Sequence, residues 1–317
     1  MIEPEPQPRT MLSIAGYGRG FWLVFLATFA INSASNLFVL FPLFVVRLGA
    51  TAAMIGAIVG TGSLAALAVR PGVGVLIDRI GQRRAAMLLL ACDALAILLY
   101  IPLHRIGVSM FIVRAIHGAI EGTARVALFA MVYGLLPVER AGQAMAIFSI
   151  CGMGSEAFAP LVGEAIIRRW GFNVFFLVAA GLTAFAACIT RLLPIDREIR
   201  RHDKPIDDCA NPSYAALLRD PGLMPLWAAT LAFALALSSR FSFVAPYGYQ
   251  QGIVRVGWYF AIYSGIGVMV RLFGGRLLDR IGTERMVFPS LLLFAIGIGL
   301  IAGTGRMGLM YLAAMIG

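Results

Sequence analysis

The chain has 317 residues, of which 60% are hydrophobic and 13% charged, and it carries a net charge of +10. Soluble domains are about 45–50% apolar and about 25% charged, so this composition excludes an ordinary soluble protein. The positive charge comes mainly from arginines at the ends of apolar segments, which is typical of membrane topology signals and argues against nucleic-acid binding.

Apolar segments long enough to cross a bilayer, which takes about 20 residues, follow one another along the chain. They occupy residues 21–46, 52–77, 85–103, 108–135, 143–167, 171–193, 222–249, 254–278 and 286–304. A tenth segment begins near Gly308, and the sequence ends at Gly317. We therefore predict an all-α polytopic membrane protein with nine spans and the beginning of a tenth.

One long polar segment interrupts this pattern after the sixth span. Residues 194–220 are charged and contain three prolines, which predicts a cytoplasmic linker at 194–221. The linker would separate a six-helix membrane domain, 1–193, from a partial second domain, 222–317. Arginine and lysine are more frequent in the segments on the linker's side, so we expect a cell (inner or plasma) membrane protein with a cytoplasmic N-terminus.

A short signature occurs twice, at the turn after the second span of each predicted domain. Residues 70–81 read RPGVGVLIDRIG, and residues 271–282 read RLFGGRLLDRIG. Residues shared at one offset of 201 positions include Arg70, Gly74, Asp78, Arg79 and Gly81, which recur as Arg271, Gly275, Asp279, Arg280 and Gly282. Both copies face the same side, which predicts a parallel repeat. The alternative, that tight turns independently favour these residues, explains two copies in one register poorly.

The first copy continues through Arg83 and Arg84, giving the pattern G-x-L-x-D-R-x-G-x-R-R. This pattern resembles the loop motif of the major facilitator superfamily, and the second copy is similar to that family's weaker echo. The resemblance covers the whole chain and implies two six-helix bundles of major facilitator type, with the second incomplete here. It also implies that the signature residues form a conformational switch. Several spans resemble those of bacterial arabinose-efflux and drug-efflux members.

The repeat also allows the length of the complete protein to be estimated. With an offset of 201 positions, two complete halves would need about 400 residues. We therefore expect the sequence to be a fragment, with a truncated product that does not transport alone as the alternative.

Span four carries ionisable groups, which are costly at bilayer depth and usually face a cavity or a partner. Helical spacing places one set on a single face: Arg114, His117, Gly118, Glu121 and Arg125. Arg114 followed by Gly118 resembles the family's fourth-helix pattern, which implies a role in proton or substrate coupling. The alternative is a structural ion pair between Glu121 and Arg125.

Span five holds Glu156, Pro160 and Gly163. Pro160 with Gly163 resembles the fifth-helix motif of antiporters, although Ala159 and Glu164 depart from it, and this similarity favours efflux. Pro160 also predicts a local bend. Glu156 and Glu121 both fall near the membrane midplane, so we hypothesise that one of them carries the coupled proton.

Four residues are predicted to line a substrate cavity: Asn32, Asn36, His117 and Arg240. The two asparagines share a face of span one, and bonding to a neighbouring helix is their alternative role. Arg240 has no acid at similar depth in spans seven or eight, which predicts an anionic group on the substrate. Its alternative is snorkelling to the outer interface. Asp93 in span three has no evident partner.

The sequence thus predicts a secondary active transporter that moves a small solute by alternating access, by proton-coupled efflux. Proton-coupled uptake and a non-transporting membrane sensor or partner protein are the alternatives. An enzyme is not expected, because the three histidines are scattered. An ATP-driven pump is not expected either, because no phosphate-binding loop of the form GxxxxGK[ST] occurs. The expected partners are the substrate, protons and the lipid bilayer, with no nucleic acid, cofactor or metal, and the complete protein is expected to be monomeric.

Overall fold

The computed structural model describes residues 19–135, 141–193, 220–252, 255–281, 283–302 and 307–316. Its helices are α1 (Arg19–Leu37), a 3-10 turn (Phe38–Leu40), α2 (Phe41–Arg47), α3 (Ala52–Ile80), α4 (Gln82–Leu98), α5 (Val108–Leu135), α6 (Ala141–Arg191), α7 (Met224–Gln250), α8 (Gly257–Ile281), α9 (Thr283–Ala302) and α10 (Met307–Ile316). These ranges contain no strand, which confirms the all-α prediction. The predicted linker lies outside the described residues except at 220 and 221, so the domain boundaries stay predictions.

The predicted spans coincide with these helices. Span one is α1, the 3-10 turn and α2 in sequence, and the next three spans are α3, α4 and α5. By length and hydropathy, four stretches of the described chain are able to cross a membrane: Arg19–Arg47, Ala52–Ile77, Ile147–Arg191 and Met224–Gln250. Large apolar side chains such as Leu64, Phe158 and Phe288 are exposed on helix surfaces, as expected of faces that contact lipid.

Helix α6 contains both span five and span six, because its chain turns back at Gly171. That residue has φ 81° and ψ −176°, a conformation almost restricted to glycine. A Cβ atom placed on Gly163 would lie 3.3 Å from the ring of Phe175. Twelve residues of straight helix would separate these positions by about 18 Å. The contact therefore shows that α6 is a hairpin of two spans.

The internal repeat extends to the helix boundaries. In the first half, α3 ends at Ile80 and α4 begins at Gln82; in the second, α8 ends at Ile281 and α9 begins at Thr283. Both boundaries are thus displaced by the same 201 positions as the signature itself. Gly81 has φ 85°, the positive value that lets one residue connect two helices.

Buried aromatic residues join the two halves at one end of the bundle. We call this end, which holds the connections 48–51 and 99–107 and the start of α8 at Gly257, the far end, and the end at Gly81 the motif end. The largest buried cluster there includes Phe41, Tyr100 and Phe176 from the first half and Tyr259 and Phe260 from the second. Aromatic side chains bury large apolar areas, so the far end is closed by tight packing between the halves.

Candidate functional site

A pocket of about 270 Å³ lies between α3 and α5. Four charged side chains contribute to its wall: Arg70 from α3, and Arg114, Glu121 and Arg125 from α5. We call it the arginine pocket. Arg70 is predicted from the sequence only as part of the switch signature, and in the structure it also lines this wall. Helical spacing in the sequence predicted that the charged residues of α5 share one face, but it did not predict that this face packs against α3.

Two glycines bring α3 and α5 together. A Cβ atom on Gly118 would lie 2.6 Å from the Cα atom of Gly62, so the two backbones touch. A Cβ on Gly62 would lie 2.8 Å from Nε of Arg114. The Arg114 side chain therefore crosses α3 at a position where only hydrogen fits. Its guanidinium also lies over the ring of Phe41, 5.1 Å from the centroid, which orients it beside the pocket.

Glu121 and Arg125 form an ion pair one helical turn apart. Nη2 of Arg125 also lies 3.3 Å from Oγ of Ser35 on α1. The structural ion pair between Glu121 and Arg125, which is the alternative to a coupling role, is thus present. Because both side chains also line the arginine pocket, the pair is accessible to a bound solute, and its role in proton coupling stays a prediction.

His117 lies behind Arg114 rather than in the arginine pocket. Its Nε2 is 3.5 Å from Oδ1 of Asp93 on α4, and each of the two side chains is only 1% exposed. Nδ1 of His117 faces the hydroxyl of Tyr100 at 3.2 Å and Nη1 of Arg114 at 3.3 Å. The imidazole packs against the ring of Phe38 at 4.4 Å, which keeps it out of the pocket wall. Asp93, unassigned from sequence, therefore has His117 as its partner.

The asparagines of span one lie apart from the arginine pocket. Nδ2 of Asn36 donates to Oγ of Ser155 on α6 over 3.0 Å, so this side chain bonds a neighbouring helix. Nδ2 of Asn32 is 4.0 Å from where a Cβ atom on Gly152 would lie. Both asparagines thus mark the contact between α1 and α6.

The fifth-span residues pack α6 against α1 and α8. Pro160 is buried inside α6, and a Cβ on Gly163 would lie 2.7 Å from Leu37. Glu164, which departs from the antiporter motif, is buried at the far end. Its carboxylate accepts a hydrogen bond from the amide of Gly257. The position of this acid near the end of an apolar segment was the sequence feature that could have predicted its role in capping another helix.

Arg240 lies in a second pocket, of about 330 Å³, in the second half. Its side chain is 4% exposed, and its guanidinium carbon is 3.5 Å from the ring centroid of Tyr263. The side chain is thus enclosed by aromatic residues and does not extend to the surface as snorkelling would require.

Arg83 of the first copy of the signature contacts the end of the first half. Nη1 of Arg83 donates to the carbonyl oxygen of Leu193 over 3.0 Å, which fixes the start of α4 to the end of α6. Arg79 and Arg84 are exposed, and no described atom lies within 4 Å of a Cβ on Gly74. The remaining signature side chains, together with the whole of Gly282, lie outside the described part of the chain: Asp78, Arg271, Gly275, Asp279 and Arg280.

Curated relatives of the chain include export proteins. Staphylopine export protein of Staphylococcus aureus (strain Mu50) is 26% identical over 157 residues, which is 50% of this chain and 38% of that protein. Multidrug resistance protein MdtG of Serratia proteamaculans is 24% identical over 295 residues, or 86% of this chain and 69% of that protein. MdtG of Erwinia billingiae is 33% identical over 142 residues, or 42% and 32%. The chain thus spans only part of the length of these relatives.

Solved transporter structures share the fold. Nucleoside transporter NupG superposes with a TM-score of 0.72 at 15% identity, covering 94% of this chain and 78% of that one. D-xylose-proton symporter gives a TM-score of 0.64 at 11% identity, covering 93% and 78%. At these identities the likeness concerns the fold alone, which is the two-bundle architecture with an incomplete second bundle. The family model described as Major Facilitator Superfamily matches residues 22–317, and the chain therefore belongs to the major facilitator superfamily.

Proposed function

We propose that the protein moves a small solute across the membrane by alternating access and that it works by proton-coupled efflux. The observation that carries this proposal is the arginine pocket. Three guanidinium groups and one carboxylate line it among the described residues. Such charges inside an apolar bundle are expensive and are usually retained for binding or coupling.

The charges of the pocket define the chemistry of its substrate. Arg70, Arg114 and Arg125 would hold one or more carboxylates, because arginine pairs with carboxylates through parallel hydrogen bonds. Glu121 would hold a cationic group, such as an amine. The substrate class is therefore a small molecule that carries both charges, with an excess of negative charge. The export named for the staphylopine relative and the multidrug resistance named for the MdtG relatives support the outward direction.

Coupling to an inward proton gradient requires that proton and substrate compete for one group. Glu121 meets this requirement, because it can bind either a proton or the cationic group of the substrate, but not both. Protonation would also release Arg125 from its ion pair. Glu156 on α6 lies outside the lining of the arginine pocket and is the alternative proton carrier.

Proton-coupled uptake is the second candidate, and the ion pair between Glu121 and Arg125 favours it for one substrate class. A purely anionic solute would take Arg125 and leave Glu121 to bind a proton. Solute and proton would then bind together and move together. The charge of the substrate thus decides the direction of coupling.

The conformational cycle would use the signature and the fifth span. With the N-terminus in the cytoplasm, the motif end faces the cytoplasm and the closed far end faces outward. The first copy from Arg70 to Arg84 and the second from Arg271 to Gly282 would act as a switch at the inner side. Pro160 and Gly163 would provide a bend in α6 during the cycle, while Asn32 and Asn36 would hold α1 against α6.

Transport by the chain in proteoliposomes under an imposed pH gradient tests the proposal. Radiolabelled acidic amino acids serve as probes that carry both charges with an excess of negative charge, and benzoate serves as the purely anionic probe. Glu121→Gln should abolish proton-driven movement of a transported probe while leaving its gradient-free exchange intact; Glu156→Gln is the matched comparison. Full proton-driven transport in both variants would overturn the coupling mechanism, and absence of any flux would support the non-transporting alternative.

A further inference from the structure

The pocket around Arg240 is mostly apolar, with the hydroxyl-bearing side chains Ser239 and Tyr247 also in its wall. Among the described residues its wall contains Phe243, Val244, Ile298 and Ile301, and Arg240 is its one charged side chain. An uncompensated cation in such a wall differs from the mixed charges of the arginine pocket. The two pockets are therefore suited to different chemical groups.

Aromatic rings fix the orientation of the Arg240 guanidinium. Its carbon lies 3.5 Å from the ring centroid of Tyr263, and at 5.4 Å and 5.7 Å from the centroids of Tyr259 and Phe294. Stacking of this kind uses the flat face of the guanidinium and leaves the N–H groups in its plane available. The side chain is 4% exposed, so water has little access to those groups.

Two of these donors have no partner. Nε and Nη2 of Arg240 are buried and make no hydrogen bond within the described residues. These two atoms lie on the same edge of the guanidinium, where their N–H bonds are parallel and match the two oxygens of a carboxylate. Buried donors without acceptors are unfavourable, so a ligand carboxylate on this edge would remove that penalty.

We propose that this pocket binds the carboxylate of an amphipathic acid, with the carboxylate on the Nε–Nη2 edge of Arg240 and the apolar body against Phe243, Val244 and Ile298. A single guanidinium balances one negative charge, which favours a monocarboxylate over a phosphate or a dicarboxylate. The inference rests on the proposed transport function, which it deepens by naming the ligand class of the second-half pocket.

Binding to the purified chain in lipid nanodiscs tests this assignment without any transport assay. The probes are benzoate and benzamide, which share a shape but differ in charge. Benzoate should raise the unfolding temperature in a concentration-dependent way, and benzamide should not. Equal effects of the two probes on the wild-type protein would overturn the proposal.

Substitutions at Arg240 locate the effect. Arg240→Met should abolish the response to benzoate, and Arg240→Lys, which keeps the charge but loses the parallel donors, should weaken affinity by about tenfold. Arg255→Met removes an exposed arginine of the same half and should leave the response unchanged. A response that survives Arg240→Met would contradict the assignment. The binding assay applies no proton gradient and does not depend on transport. Benzoate binding without any transport in proteoliposomes would therefore count against the proposed transport function and not against this binding site.

Discussion

Oε2 of Glu164 accepts a hydrogen bond from the backbone amide of Gly257, with 2.7 Å between the two atoms. Gly257 is the first residue of α8, where backbone N–H groups lack partners within the helix and the helix dipole favours a negative charge. A Cβ on Gly257 would lie 2.9 Å from the Cα atom of Leu161. A carboxylate from the first half therefore caps a helix of the second half at a point of close backbone contact.

Removal of this cap should destabilise the closed far end. We expect Glu164→Ala to lower the free energy of unfolding by about 1–2 kcal/mol, as for other lost helix caps. Glu164→Gln keeps an acceptor oxygen but no charge, so its loss should be smaller. Thermal unfolding of the three proteins in one detergent measures the difference. Equal stability of Glu164→Ala and the wild type would contradict the capping role.

The backbone contact between α3 and α5 should not tolerate a methyl group. In Gly118→Ala the new Cβ would meet the backbone of Gly62, and overpacking of this kind typically costs about 1–3 kcal/mol. Gly60→Ala is the matched control on α3, because no described atom lies within 4 Å of its Cβ position. That variant should be neutral or slightly stabilising. The comparison fails if the two substitutions change thermal stability alike.

The turn within α6 should depend on the backbone freedom of Gly171. Its φ of 81° with ψ of −176° is unfavourable for any residue with a Cβ, so Gly171→Ala should cost about 1–3 kcal/mol. Gly181→Ala, in the following span, meets nothing within 4 Å and serves as the control. Urea or thermal unfolding in detergent reads out both. A stable Gly171→Ala variant would mean that the turn can relax to another geometry.

The hydrogen bonds around His117 predict its tautomer. Arginine can only donate, so Nδ1, which faces Arg114, is an acceptor, and the hydrogen resides on Nε2 toward Asp93. Nitrogen-15 NMR of histidine-labelled protein should show this neutral form. Assignment is feasible because the chain has three histidines, and His104→Gln and His202→Gln remove the other two signals.

Tyr100→Phe provides the check on this interpretation. It removes one donor to Nδ1 but leaves Arg114 in place, so the same tautomer should persist. Detection of hydrogen on Nδ1 in the wild-type protein would show that Arg114 does not face this nitrogen.

Features governed by the chain's own periodicity were predictable, whereas contacts between helices were not. The repeat predicted a turn after the second span of each half, close to the helix ends at Ile80 and Ile281, and hydropathy separated the two spans that meet at Gly171. Helical spacing also grouped the charged face of α5. It did not reveal that Arg70 joins that face, or that Asp93 meets His117, because spacing defines the sides of one helix and not its neighbours.

The turn at Gly81 has a mechanical consequence. This single residue is the whole connection between α3 and α4, and adjacent Cα atoms are held about 3.8 Å apart. A one-residue connection cannot lengthen, so neither helix can translate far along its axis without displacing the other. Helix α3, which carries Arg70, and helix α4, which carries Asp93, therefore move together. A displacement of Arg70 in the pocket wall is transmitted to the buried carboxylate of Asp93.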